Sequence, residues 1–267
     1  MLIAITRPVS PSINRCELTF HNKEPIDVSK AATQHAAYEA CLRELGVPVV
    51  SLAIEPDLPD SVFVEDTAVV VDELAVIPVM GAASRRRETA SIAAALSAYR
   101  TLKFLEPPAT LDGGDVMRIG RRLFVGASSR TNADGIAQLR AALAPFDYEV
   151  TAVDVKLCLH LKSGCSYVGR NSILVNREWV DATQFDGFEL IDVPAGEPAA
   201  SNALLIEAVR EGLVEEQVVI VPSAFPKTIE MLEARGFGVQ PIDVSELQKA
   251  EGGVTCKSII FRDPRSE

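Results

Sequence analysis

Short β-branched runs come in pairs along this chain, and the pairs are interleaved with helix-like stretches and further strands. Residues 62–71 and 74–79 meet at Asp72-Glu73 and lead into a helix-like stretch over 84–99. Residues 116–119 and 123–125 meet at Gly120-Arg121 and lead into a helix over 132–143. Tyr167-Val168 and Ile173-Leu174-Val175 flank Gly169-Arg170-Asn171, which reads as a third hairpin. A helix over 227–235 precedes a strand at 238–242, and a helix over 30–45 precedes a strand at 47–52. This gives about five units of roughly 40–60 residues, a period that points to a propeller or an array rather than a doubly wound sheet. An irregular mixed α/β domain is the alternative. No G-x-G-x-x-G or G-x-x-x-x-G-K-[ST] follows a strand, so nucleotide binding lacks support.

At 267 residues the chain can bury a substantial core as one large domain or two small ones. Apolar residues make up 48% and charged residues 24%, a globular rather than a disordered balance. No apolar run approaches the roughly 18 residues that span a bilayer. Met1-Leu2-Ile3-Ala4-Ile5-Thr6-Arg7-Pro8 lacks a basic leader and is expected to be a first strand. The net charge of −11 argues against nucleic acid and anionic membranes as partners; a negative field can attract a cationic small molecule, but such acidity also serves solubility alone. The five cysteines (Cys16, Cys41, Cys158, Cys165, Cys256) are odd in number and form no C-x-x-C pair, which fits a reducing, cytoplasmic compartment. Cys158, His160 and Cys165 raise a metal site, but their spacing matches no zinc pattern. With Leu157, Leu159 and Leu161 between them, the two cysteines read as core.

Glu251-Gly252-Gly253-Val254-Thr255-Cys256-Lys257-Ser258 carries the strongest chemical signal. Two adjacent glycines allow a backbone approach that side chains would block, and they deliver Cys256 to the head of the apolar run Ile259-Ile260-Phe261. A thiol at a strand mouth beside Lys257 can be held as the reactive thiolate; a buried structural thiol is the other reading. His160, between Leu159 and Leu161, is either the proton shuttle such a thiol needs or a satisfied core histidine. Asp112 and Asp115 flank Gly113-Gly114 before a strand, so one of them can orient His160; a simple turn is the alternative. Glu65 and Asp66 are out of place inside a β-branched run, where side chains alternate between faces and a buried carboxylate wants a cation. A substrate guanidinium would satisfy them through a bidentate fork, as would an internal salt bridge. Arg85, in Ser84-Arg85-Arg86-Arg87, and Arg130, in Ser129-Arg130-Thr131-Asn132, stand at helix starts where they could grip a carboxylate.

These segments resemble the dimethylarginine dimethylaminohydrolases of the guanidine-modifying (pentein) superfamily. The matching stretches are Phe63-Val64-Glu65-Asp66, Gly81-Ala82-Ala83-Ser84-Arg85-Arg86, Leu111-Asp112-Gly113-Gly114-Asp115, Arg130-Thr131-Asn132, Leu159-His160-Leu161-Lys162 and Gly252-Gly253-Val254-Thr255-Cys256. They run in family order over nearly the whole chain. The resemblance implies an α/β fold, a five-bladed α/β propeller of ββαβ units, in one catalytic domain over residues 1–267. It also implies that Cys256 is the nucleophile, His160 the general acid/base and Asp112 the acid that orients it. Glu65 and Asp66 would engage the substrate guanidinium, and Arg85 and Arg130 its α-carboxylate. Asp60 and the backbone carbonyls near Leu18 and Ala250 would hold the α-amino end.

The expected reaction is hydrolysis of methylated arginine to citrulline through a covalent thiouronium on Cys256. No metal or organic cofactor is required. Lys162 and Asp112 stand where arginine deiminases carry an acid and a glutamate, which favours methylated arginine over arginine. A sister hydrolase acting on arginine, and a binding protein that keeps the fold without turnover, are the competing readings. A homodimer is kept open as an assembly. Residues 14–22, near Leu18, are the place to look for a lid over the site.

Overall fold

A computed structural model describes residues 1–208 and 216–266. In chain order, β1 (Leu2–Thr6), α1 (Val28–Glu44) and β2 (Val49–Ser51) open the first unit. The second holds β3 (Val69–Val70), β4 (Leu74–Ile77), α2 (Thr89–Leu96) and β5 (Thr101–Phe104). The third holds β6 (Val116–Ile119), β7 (Arg122–Ala127), α3 (Ala133–Leu143) and β8 (Glu149–Asp154). A short α4 (Leu161–Gly164) leads to β9 (Cys165–Gly169), β10 (Ser172–Val175) and β11 (Glu189–Asp192). The fifth unit holds β12 (Leu204–Ala208), β13 (Glu216–Pro222), α5 (Pro226–Ala234) and β14 (Gly238–Ile242), followed by α6 (Ser245–Gln248) and β15 (Ile259–Arg262).

Every sheet has three strands: an antiparallel pair, then a third strand added in parallel beside the middle one. Parallel addition requires a crossover, and α1, α2, α3 and α5 supply it in four sheets. In the fourth the crossover carries only a 3₁₀ turn at Ala182–Gln184, so the expected ββαβ unit lacks its helix there. The first sheet joins the two ends of the fold. Ile3 faces Phe261 and Ile5 faces Ile259 where β1 meets β15.

The cores lie between neighbouring sheets, which explains why the strands read as continuous apolar runs. On β7, Leu123 and Val125 pack with Val69, Leu74 and Val76 of the second sheet. Phe124 turns the other way, onto Cys165, Ile173 and Val175 of the fourth. Val168 and Leu174 meet Val219 and Val221, Ile206 and Ile220 meet Ala4, and Ile3 and Ile5 meet Ala75 and Ile77. Five interfaces close a ring, the five-bladed α/β propeller that the sequence leads one to expect. The first strand of each antiparallel pair lines an axial channel of about 380 Å³, through Val69, Met117, Tyr167, Leu205 and Ile259 among others. Among the described residues no helix is long and apolar enough to cross a membrane.

Two expected elements differ. The run 62–71 is not one strand: Val64–Thr67 coils into a 3₁₀ turn and only Val69–Val70 pairs as β3. Successive residues of a 3₁₀ turn point about 120° apart rather than to opposite faces, so the acid pair avoids the apolar inter-sheet core. Residues 84–99 are likewise not one α-helix. Ala83–Glu88, which carries Arg85, is a 3₁₀ turn ahead of α2.

Candidate active site

Cys256 sits in a 3₁₀ turn at Thr255–Lys257 immediately before β15. The doubled glycine is a packing requirement: a Cβ at Gly252 would lie 2.2 Å from Phe63 Cε1, and one at Gly253 would lie 2.1 Å from Asn202 Oδ1. Asn202 is the clamp this approach serves. Its Oδ1 accepts from Val254 N–H (2.7 Å) and Thr255 N–H (3.2 Å). Its Nδ2 donates to Lys162 O (2.8 Å) and Thr255 Oγ1 (3.0 Å). Cys256 Sγ accepts from Gly253 N–H at 3.3 Å.

Lys257 makes no hydrogen bond to the thiol: its Nζ lies fully buried, 4.0 Å from the centre of the Tyr38 ring. Burial, then the carboxylates of Glu65 and Asp66, push the Cys256 thiol up to about 12, so at neutral pH it rests protonated.

His160 caps the start of α4, and its Nε2 lies 3.1 Å from Asp112 Oδ2. Asp112 is wholly buried, with Oδ1 accepting from Gly81 N–H at 2.9 Å. The second carboxylate of this motif has a separate task. Asp115 accepts from Leu161 N–H (2.9 Å), Ser128 Oγ (2.6 Å) and Thr131 Oγ1 (2.7 Å), which fixes the backbone that carries His160. Between the two acids, Gly114 leaves room for the ring: a Cβ there would stand 2.7 Å from His160 Nδ1. Burial works to lower the imidazole pKa, but Asp66, Asp112 and Asp115 outweigh it and raise it to about 9. The resting site therefore holds an imidazolium and a thiol.

The acid pair divides its labour. Asp66 Oδ1 forms an ion pair with His160 Nδ1 at 3.7 Å, beyond hydrogen-bond reach, and is buried with no hydrogen bond. Asp66 Oδ2 bonds Arg85 Nη1 at 2.6 Å. Burial opposes ionisation of Asp66, yet His160 and Arg85 hold its carboxyl below the usual range. Glu65 faces the axial channel, where its oxygens accept from Lys162 Nζ and Thr255 Oγ1, each at 2.7 Å. Burial raises its carboxyl, and Lys162 opposes the rise.

The Arg85 guanidinium is largely committed within the protein: Nε and Nη2 bond Glu88, and Nη2 also reaches Phe63 O at 3.2 Å. Arg130 is less committed. It donates to Thr19 Oγ1 at 3.2 Å, and its buried Nη1 has no hydrogen-bond partner.

One small cavity gathers Cys256, His160, Asp60, Asp66, Arg85, Arg130 and the Ala250 segment. Asp112 stands behind His160, Glu65 lines the channel rather than this cavity, and Leu18 rides on the loop above it. Asn202, Asp115, Glu88 and Glu251 support the site without having been singled out as site residues. Of these, Asp115 belongs to the twin acids around Gly113-Gly114 and Glu251 opens the Gly252-Gly253 stretch, whereas Asn202 and Glu88 carry no local signal.

A family model described as N,N dimethylarginine dimethylhydrolase, eukaryotic, matches residues 5–261. The chain belongs to this family. It is 35% identical over 237 residues to the N(G),N(G)-dimethylarginine dimethylaminohydrolase of Pseudomonas aeruginosa, covering 88% of this chain and 90% of that one. The dimethylaminohydrolase of Streptomyces coelicolor is 34% identical over 262 residues, 97% of each chain. Among solved structures, a cysteine-to-serine variant of the Pseudomonas enzyme complexed with citrulline superposes with a TM-score of 0.88 at 32% identity, over 97% of this chain and 98% of that one. The dimethylarginine dimethylaminohydrolase family thus accounts for both the motif order and the ring of five sheets.

Proposed function

We propose that this member of the family hydrolyses Nω-methylated arginine to citrulline and dimethylamine or methylamine. Cys256 acts as nucleophile, His160 as general acid and then base, and Asp112 orients His160. The observation that carries this reading is a pair of under-used groups in one cavity. Asp66 Oδ1 is a buried acceptor with no hydrogen bond and only a 3.7 Å ion pair to His160. Arg130 Nη1 is a buried donor with no hydrogen bond and only a 3.8 Å ion pair to Asp112, and both residues line the space beside Cys256 and His160. A molecule with a guanidinium at one end and a carboxylate at the other matches that set. The α-amino group falls to Asp60 and the carbonyls near Leu18 and Ala250. Glu65 supports the guanidinium end from the channel side, and Arg85 steadies Asp66.

The substrate cation offsets the carboxylates that hold the thiol protonated, so Cys256 loses its proton to solvent as substrate arrives. The thiolate attacks the guanidinium carbon. His160, already protonated, gives its proton to the departing amine, leaving a thiouronium on Cys256. The neutral imidazole then takes a proton from water, whose hydroxide displaces the sulfur and releases citrulline. Citrulline is the molecule bound to the Pseudomonas relative. All of residues 1–267 are assigned to one catalytic domain, supported by the β1–β15 pairing, and its free cysteines suit a reducing cytoplasm.

The test is to incubate the protein separately with asymmetric dimethylarginine, monomethylarginine and arginine, assaying citrulline and the amine. Dimethylamine with citrulline, lost in Cys256→Ser, is the expected result. Ammonia from arginine alone would move the chain to the deiminase side.

A further inference from the structure

The loop over the cavity is tied down at three places. Glu17 N–H donates to the Asp60 carboxylate, 3.3 and 3.2 Å from its two oxygens. Thr19 Oγ1 accepts from Arg130 Nη2 at 3.2 Å. The N–H groups of Thr19, Phe20 and His21 converge on one atom, Glu251 Oε1, at 3.0, 2.5 and 2.6 Å. Successive N–H groups turned toward one point form a nest that suits an anion, here supplied by a side chain of the same protein.

Glu251 stands five residues before Cys256, between Ala250 and Gly252, with φ at 59°. A side-chain-bearing residue enters that left-handed region at a cost, so the backbone is being held there. Beneath the loop only about 20 Å³ is free, room for about one water. An arginine side chain cannot enter while the loop is down.

We propose that Glu251 is the latch of a lid formed by residues 16–21: its carboxylate holds the lid shut over Cys256, and substrate enters after the three N–H groups release it. The closed lid places a backbone N–H on Asp60 and a hydroxyl on Arg130. These are the groups assigned above to the substrate's amino and carboxylate ends, and that competition rests on the proposed function. The latch itself does not. Because Glu251 and Cys256 belong to one short segment, lid release and the setting of the nucleophile are mechanically joined.

Two variants test the latch without any turnover assay. Glu251→Asn keeps a residue that tolerates the left-handed backbone but has a shorter, uncharged side chain. Glu251→Gln keeps the length and an acceptor oxygen without the charge. Amide hydrogen exchange at Thr19, Phe20 and His21 is followed together with the rate of Cys256 alkylation by iodoacetamide, a neutral reagent that needs no guanidinium recognition. The Asn variant is expected to lose protection at the three amides and to be alkylated at least about tenfold faster, as loss of charge-assisted hydrogen bonds requires. The Gln variant should fall between it and the parent. Unchanged protection and an unchanged alkylation rate in the Asn variant overturn the latch. Should exchange rise across the whole chain in that variant, the Gln variant decides, and parental rates there overturn the proposal. Faster alkylation in a protein that leaves methylated arginines untouched would keep the latch and overturn the function.

Discussion

Replacing Lys257 by methionine should make this protein more stable, and by an amount that depends on pH. The ammonium is fully buried behind the nucleophile and its Nζ has no hydrogen-bond partner. The ammonium rests against the face of Tyr38, 4.0 Å away, whose hydroxyl is bonded to Ser258 Oγ at 2.6 Å. Burial lowers the lysine from its ordinary 10.5 to about 7. At about 1.4 kcal/mol for each tenfold change in proton affinity, the charged form costs the fold about 5 kcal/mol as an upper bound. The ring returns on the order of 2 kcal/mol of attraction, so a gain of roughly 2–5 kcal/mol is expected for a methionine that fills the same volume.

The sign follows from proton binding. Above pH 10.5 the lysine is neutral whether folded or unfolded, and nothing is lost. As pH falls from there the unfolded chain takes up a proton that the fold refuses, so stability drops until about pH 7, below which the full penalty stands. Urea unfolding of parent and Lys257→Met at pH 6 and pH 10 measures it. The gain should be large at the lower pH and nearly vanish at the higher one. An equal effect at both, or destabilisation at pH 6, would refute the reasoning.

The other expectations follow the same geometry. Gly114→Ala should leave a folded protein but cut kcat by on the order of 100-fold, because the new Cβ must displace His160 or Asp66; a steady-state assay beside a thermal melt checks this. Since the reactive thiolate–imidazolium pair holds one proton fewer than the resting thiol–imidazolium pair, kcat/KM should climb with pH through neutrality toward about 9. A maximum below pH 7 would contradict that resting state. Lys162→Met should strand the Glu65 carboxylate, raise its pKa further and lower kcat/KM by at least about tenfold, read from turnover of dimethylarginine.

Much of this architecture is legible in the chain because both faces of most strands are buried. The hairpins at 116–125 and 167–175 and the helix that Asn132 caps announce themselves through short, largely apolar runs, glycine turns and a capping side chain. The third strands are harder to see. β5 is almost wholly exposed and β8 buries only Val150 and Val153, since each is an edge strand that owes its place to parallel pairing with a middle strand. At the site, Cys256, His160 and Asp112 carry local signals. Glu65 does not reveal that it faces the channel, because its direction depends on a 3₁₀ turn and on Lys162, 97 residues away. Lys257 misleads for a related reason. Sequence adjacency puts a charge beside Cys256, whereas the side chain turns toward Tyr38 on α1.

The central claim is that Cys256 attacks the guanidinium carbon and His160 is then needed to bring in water. S-methyl-L-thiocitrulline, whose thiol leaves without a general acid, should be applied to the His160→Gly form of this protein and the product examined by intact-protein and peptide mass spectrometry. The account predicts one equivalent of methanethiol and a stable adduct confined to Cys256. Absence of both, or an adduct on any other residue, would contradict it.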